Sequence, residues 1–330
     1  MGGPGGEQAR PRVGIVGAGR TRQGLGPFLA RWFEAAGAAV VGVSGRDASR
    51  TAAAADALAS QSGRAVRAFS AAASLASEVD LLVVACPIEG HGAALDAALA
   101  AGVPCLCEKP LLAWSDLPAG LERVAAFRAR GLPLFENCQW PFALPALDAL
   151  HPEVRQRPIR SVAMRLSPAW PGPAMVEDSL SHVLSLVQAL VALPDDAQVT
   201  GVSQTDASID AVENLVQFSV TGGAALVQVE LHLRCCPEQP RPAWFSVDGA
   251  RLDREIGDGY AISFRGAAGA IIEVEDPLAA LVYGVLADLQ ANQRERTDAH
   301  AAAIALRLRL YAGVLGSLRA DGERAGRQGP

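Results

Sequence analysis

An α/β fold in two domains is predicted by three features of the sequence: its length, an alternation of short apolar runs with Ala-rich stretches from Arg12 to Glu136, and a later shift to β-rich runs. At 330 residues the chain exceeds what one core of ordinary size holds. Apolar runs of about five residues, each followed by a helical stretch, are the mark of βα units and a parallel sheet. Six strands are expected, at Arg12–Val16, Ala39–Val43, Ala65–Phe69, Asp80–Ala85, Val103–Cys107 and Leu132–Glu136. Leu81, Leu82, Val83 and Val84 are apolar at successive positions, as a strand covered by helices on both faces requires. The stretches between, such as Ala48–Ser60 and His91–Ala101, are rich in the good helix formers Ala and Leu.

The first strand runs into Gly17-Ala18-Gly19-Arg20, then Thr21 to Gly26 and a helix begun by Pro27. A Gly-rich turn at a first βα junction lets the backbone approach a pyrophosphate, and the helix end supplies free N–H groups. In this context the turn predicts a Rossmann sheet that binds a dinucleotide, with Gly17, Gly19, Arg20, Thr21 and Arg22 as candidate contacts. The third glycine of G-x-G-x-x-G falls on Arg22, and the nearest glycines are Gly24 and Gly26, so a longer turn is expected. The second strand ends Val43-Ser44-Gly45-Arg46-Asp47. An acidic residue at this strand end selects NAD by binding the ribose hydroxyl. Ser44 and Arg46 suit a 2'-phosphate instead, and Asp47 lies far enough on to cap the next helix. NADP(H) is therefore the expected cofactor, with NAD(H) the alternative.

From Asp80 to Leu112 the chain reads D-L-L-V-V-A-C-P, then His91, then A-A-G-V-P-C-L-C-E-K-P-L-L. With the glycine turn, the Cys86-Pro87 step and Glu108-Lys109-Pro110 stand in an order and spacing that resembles the Gfo/Idh/MocA family of NAD(P)-dependent oxidoreductases. The resemblance covers most of the amino-terminal half. It implies an α+β carboxy-terminal domain with an open, mostly antiparallel sheet turned toward the nicotinamide. It also implies that Lys109 sits beside the nicotinamide and the reacting carbon, with Cys86, Pro87 and Glu108 among the cofactor contacts. An ammonium there polarises a substrate oxygen; the bland alternative is a surface lysine in a loop. Glu108 is expected to meet the ribose or to hold Lys109.

Downstream, Glu177-Asp178-Ser179-Leu180-Ser181-His182-Val183-Leu184 reads as helix, and Asp178 and His182 are four apart on one face. The carboxylate is then close enough to orient or support an imidazole suited to proton transfer near neutrality. Taken alone, such a pair is more often a cap or core arrangement. The segment resembles the family pattern D-x-G-x-H, with Leu180 in place of Gly, and the resemblance makes Lys109, Asp178 and His182 the catalytic set. Asn137, Gln139 and Trp140, after the sixth strand, are candidate substrate contacts, and Trp140 reads equally as a packing residue. Trp170, in the Pro-rich loop Ser167–Ala174, is a further substrate candidate. His91 is expected to be structural, and His151, His232 and His300 have no catalytic neighbours in sequence.

Beyond these, strands are expected at Ile159–Leu166, Ala211–Val220, Ala224–Leu233, Ala243–Val247 and Ile271–Val274, with a hairpin turn at Thr221-Gly222-Gly223. Two helices follow, Pro277–Gln293 and Asp298–Leu318. The expected organisation is a disordered tail over 1–10, the Rossmann domain over 11–137 and a substrate-binding and oligomerisation domain over 138–330, ending in a loose tail from Gly322 to Pro330. The family resemblance adds a homodimer or larger homo-oligomer.

A net charge of −6 argues against a nucleic-acid surface. The uninterrupted apolar runs, such as Leu81–Cys86, are far shorter than the roughly 20 residues of a membrane span. Met1–Gln8 lacks the apolar stretch of a signal peptide, and Gly6 stands where a myristoylation motif needs Ser or Thr. A cytoplasmic location follows as an expectation, with no membrane or nucleic-acid partner and a small-molecule substrate. The six cysteines include no C-x-x-C pair, so packing and not metal binding is expected of them. The reaction expected is hydride transfer between the nicotinamide and a hydroxyl or carbonyl carbon of a sugar-like or polyol substrate. The alternatives are reduction of an imine or enone intermediate, and a non-catalytic regulator that senses the dinucleotide.

Overall fold

The structure is a computed structural model that describes residues 10–19 and 24–327, without the side chains of 259 and 321–327. It divides into two compact units, neither continuous in sequence. The first comprises residues up to Glu108 together with Glu122–Asn137 and Val282–Ala301; the second comprises Lys109–Leu121, Cys138–Leu281 and the chain from Ala302 onward.

In the first unit β1 (Arg12–Val16), β2 (Ala39–Ser44), β3 (Arg67–Phe69), β4 (Leu81–Val84), β5 (Cys105–Cys107) and β6 (Leu134–Glu136) form one parallel sheet. Its order is β3-β2-β1-β4-β5-β6, which places the topological switch point between β1 and β4, where ligands of open α/β sheets bind. The helices between the strands are α1 (Gly26–Ala35), α2 (Ala48–Ser62), α3 (Ala72–Ala76), α4 (His91–Ala101) and α5 (Leu117–Arg130). Every residue of β4 and β5 is buried, as their unbroken apolar runs demand. β3 is shorter than its apolar run suggests, because it is the sheet edge and Arg67 is exposed there.

The second unit is built on α6 (Leu144–Leu150), β7 (Ser161–Leu166), α7 (Pro173–Leu190), β8 (Gln198–Gln204), β9 (Glu213–Gly222), β10 (Ala225–Arg234), β11 (Ala243–Val247), β12 (Ala250–Ile256), β13 (Ile262–Gly266) and β14 (Ile271–Val274). These eight strands make one sheet in the order β14-β13-β12-β11-β7-β10-β9-β8, antiparallel throughout except for the β7–β10 pair. The open, mostly antiparallel sheet is thus present. One face carries Val162, Met164, Phe245, Leu252 and Phe264, and α7 buries Leu180, Val183, Leu184 and Val187 in the same core.

Two helices close the chain, α8 (Pro277–Ala291) and α9 (Arg294–Arg327). The expected loose tail from Gly322 is corrected, since α9 continues through Arg327. Positions 328–330 lie outside the described residues, as do 1–9 of the expected amino-terminal tail. Residues Arg294–Ala320 are long and apolar enough, by composition, to cross a bilayer, yet 56% of that stretch is buried, as befits a core helix.

Candidate active site

In the first unit the site begins where β1 ends. Gly17 has φ +92° and donates its N–H to Ser44 O at 2.8 Å. A Cβ at Gly17 would lie 2.6 Å from the Cys86 backbone, so only glycine lets the ends of β1 and β4 approach this closely. At Gly26 a Cβ would meet Ala18 Cα at 2.7 Å, so Gly26 is the glycine that packs the helix start against the turn. It does what the third glycine of the motif ordinarily does, four residues later than the pattern places it. A Cβ at Gly19, by contrast, would meet nothing within 4 Å among the described residues. Arg20, Thr21 and Arg22 lie outside the described residues.

Around this turn the neighbouring strand ends are fixed by named contacts. Ser44 is buried and Arg46 is exposed, while Asp47 caps α2 by accepting the Arg50 N–H at 2.8 Å. That carboxylate stays ionised, its pKa held down first by this hydrogen bond. His91, 1% exposed, lies with Nε2 2.9 Å from Cys86 O, the structural role expected of it. Pro87 follows Cys86 into a short 3-10 turn. The Cys86 thiol is pushed up by burial, and those of Cys105 and Cys107 well up for the same reason, so they are packing residues and not nucleophiles. Glu108, just past β5, accepts a hydrogen bond from the Asn137 side-chain amide just past β6, and Asn137 Oδ1 is buried with no partner. Asn137 therefore holds a carboxylate in place and keeps one acceptor unspent.

The second unit carries the other candidate groups. Lys109 Nζ, with its side chain only 11% exposed, donates to Asp178 O and Asp178 Oδ1, both at 2.7 Å. Asp178 and His182 lie one turn apart on α7, whose Leu180 is fully buried and serves the core. The carboxylate is thus taken by the ammonium and not by the imidazole, which corrects the expectation that Asp178 orients His182; its influence there is electrostatic. Crowding by protein raises the Asp178 pKa, but Lys109, then His182 and Arg241, outweigh it and the carboxyl titrates below the usual range. Because the Asp178 side chain remains 59% exposed, the pair contributes only about 1 kcal/mol or less to stability. Its consequence is positional: two of the three N–H groups of Lys109 are directed.

His182 is held well below its usual 6.5, first by burial, then by Lys109 and Arg254, with Asp178 opposing. Its Nδ1 is buried without a hydrogen-bond partner. Above about pH 6.5 the imidazole is neutral folded or unfolded; below it, the unfolded chain takes up a proton that the folded chain refuses, so stability falls with falling pH. Urea unfolding of the wild type should lose up to about 1.4 kcal/mol more per pH unit than His182→Gln between pH 6.5 and 5.5. Equal slopes would mean that His182 titrates as it does in water.

Of the substrate candidates in this unit, Trp140 is buried, edge-on to Phe245 at 6.1 Å and beneath the Arg254 guanidinium at 5.4 Å. Gln139 is half-buried and Trp170 is 60% exposed. The Trp170 loop is tied to the loop before β11, where Ser167 Oγ donates to Pro242 O at 2.7 Å and Cys236 N to Pro168 O at 2.7 Å. Arg241, in that loop, and Arg254, on β12, are absent from the sequence reading. The alternation Leu252, Arg254, Ile256 was the available signal, for it sets an arginine on the apolar face of a strand. His151, His232 and His300 stand beside Glu153, Glu230 and Asp288 respectively. Among the described residues no three His, Cys, Asp or Glu side chains gather as metal ligands.

A parallel 3-2-1-4-5-6 sheet with a glycine turn at its first βα junction is the Rossmann architecture of dinucleotide-binding domains. Residues 11–137 match the model of the oxidoreductase family with an NAD-binding Rossmann fold, Gfo/Idh/MocA. Over this domain the chain is similar to the Gfo/Idh/MocA oxidoreductases. A search of curated sequences gave no match. Among solved structures, the chain is similar to the UDP-N-acetylglucosamine 3-dehydrogenase of Acidithiobacillus ferrooxidans, at 22% identity and TM-score 0.62 over 93% of this chain and 100% of the other. It is also similar to a Gfo/Idh/MocA oxidoreductase from Vibrio cholerae (16%, TM-score 0.67, 95% and 99% covered). A third likeness is to a 3-ketoreductase from Actinomadura kijaniata in complex with TDP-benzene and NADP (20%, TM-score 0.66, 94% and 98% covered). At these identities the likeness is one of fold.

Proposed function

We propose that this oxidoreductase transfers a hydride between NADP(H), with NAD(H) as the alternative, and a hydroxyl- or carbonyl-bearing carbon of a small sugar-like or polyol substrate. The observation that carries this reading is the Lys109–Asp178 pair on the helix that presents His182 one turn further on. The dinucleotide is assigned to the turn around Gly17 and Gly19, where α1 offers its amino end. Preference for NADP rests on Arg46 and on the commitment of Asp47 to the α2 cap, which leaves the end of β2 without a carboxylate for a ribose hydroxyl.

When bound, the nicotinamide supplies or removes the hydride. The chain's own residues handle the oxygen and its proton. Lys109 donates its remaining N–H to that oxygen and stabilises the charge it gains in the reaction. His182, neutral at physiological pH, accepts the hydroxyl proton in oxidation and, once protonated, returns one in reduction. Asp178 positions Lys109. One of the solved neighbours, the UDP-N-acetylglucosamine 3-dehydrogenase, supports a sugar-like substrate. Oligomerisation through the broad sheet and a cytoplasmic setting belong to the same proposal.

The test is spectrophotometric: purified protein is mixed with NADP or NADPH and a panel of polyols, sugars and carbonyl compounds while the reduced nicotinamide is followed by absorbance. Turnover with at least one polyol or sugar, faster with NADP than NAD, is the expected result. Binding of neither dinucleotide, or turnover confined to imines or enones, would overturn the reading.

A further inference from the structure

Asn137 lies one residue past β6, where its N–H extends the ladder to Cys107 O at 2.8 Å. Glu108 lies one residue past β5 and donates its own N–H to Val84 O at 2.8 Å. Both therefore stand at the carboxyl edge of the parallel sheet, the edge at which open α/β sheets bind ligands. The Asn137 amide has one orientation there. A carboxylate accepts hydrogen bonds, so the amide turns its N–H groups to Glu108 and its Oδ1 away from it. Asn137 is 1% exposed, and Oδ1 meets no donor among the described residues. A buried acceptor left unmet costs more stability than an ordinary hydrogen bond contributes, so its retention at this edge calls for a donor brought by a ligand.

The order of the strands says which donor that is. The pyrophosphate is assigned to the turn after β1, and the adenosine ribose to the end of β2, on one side of β1. The other half of the dinucleotide then runs over β4, β5 and β6, on the opposite side. Its donors are the ribose hydroxyls, nearer the pyrophosphate, and the carboxamide N–H groups beyond the ring. β6 is the sheet edge, three strands from β1 and about 14 Å away at ordinary strand spacing, and the Asn137 amide reaches back from it to Glu108. The outermost donor thus falls to the outermost acceptor.

We propose that Asn137 Oδ1 accepts a hydrogen bond from the nicotinamide carboxamide and so fixes the rotation of the ring about its bond to the ribose. Asn137 is then a cofactor contact and not the substrate contact expected from the sequence. This deepens the functional reading above and rests on it. Holding the carboxamide sets which face of the ring is presented for hydride transfer, and a ring held in one orientation loses less freedom in the reaction.

The test is calorimetric titration of the full chain, without turnover, with three dinucleotides: NADP, its thionicotinamide analogue, which keeps the N–H groups, and its 3-acetylpyridine analogue, which carries a methyl group in their place. The wild type should bind the first two alike and the third about tenfold or more weaker. Asn137→Leu, close in volume and without an acceptor, should weaken binding of the first two by about tenfold. It should bind the acetylpyridine analogue as the wild type does, so that the preference disappears. If Asn137→Leu shows no cooperative melt, Asn137→Ala decides by the same comparison. A wild type indifferent to loss of the N–H groups would overturn the proposal. So would an equal loss for all three dinucleotides in the variant, the mark of a side chain that only props Glu108, or an unchanged NADP affinity, which would hand the acceptor to the substrate or to water. Binding of none of the three by the wild type would strike the dinucleotide reading itself, and this proposal with it.

Discussion

Replacing Lys109 by alanine is expected to lower kcat by about 10²- to 10³-fold, the cost of losing one preorganised donor to a developing oxyanion. Dinucleotide affinity should change little, because no contact to the glycine turn is removed. The protein should also stay folded, since the ion pair lost is half-open to water on the Asp178 side. Lys109→Arg separates charge from geometry. A guanidinium keeps the charge but not the compact three-donor head, so it should restore little of the rate. Stopped-flow turnover beside a fluorescence titration of NADPH makes the comparison; a kcat within a few-fold of wild type would show that Lys109 only anchors α7.

His182→Gln is expected to lower kcat by roughly 10²- to 10⁴-fold, the range for loss of a general acid–base group. The pH profile carries the sharper signature. In the wild type, oxidation should hold its rate below pH 6.5 and decline only where the depressed imidazole finally takes up a proton. The residual rate of His182→Gln should lack that acid limb. A limb that persists unchanged would assign the titration to another group. Because Asp178 is bound to Lys109, Asp178→Asn should act mainly through the lysine, lowering kcat less than either substitution.

The parts of this fold most legible in sequence are those buried on both faces. Leu81–Val84 could hardly be anything but a central strand, and β1, β11 and β14 stand at their expected bounds. The strands that were missed, β8, β12 and β13, are amphipathic or rich in charge. In β12, Asp253 and Arg251 pair with each other and Glu255 with Arg265 across the sheet, so a segment that reads as a solvated loop is a strand with one charged face. The same misreading hid Arg254. Lys109, Asp178 and His182 stood out because motif and helical spacing mark them, whereas the pairing of Asp178 with the lysine depends on how segments 69 residues apart pack together. The role of Gly26 was equally hidden, for only the close approach of Ala18 shows which glycine of a long turn is needed.

A crystal structure of the chain with NADP and a reduced or oxidised substrate bears most directly on the proposed chemistry. The pyrophosphate should lie on the backbone of Gly17–Gly19 at the amino end of α1, with Lys109 Nζ and a His182 ring nitrogen both within about 3.2 Å of one substrate oxygen. A dinucleotide bound away from that turn, or a substrate whose reacting oxygen touches neither group, would contradict it.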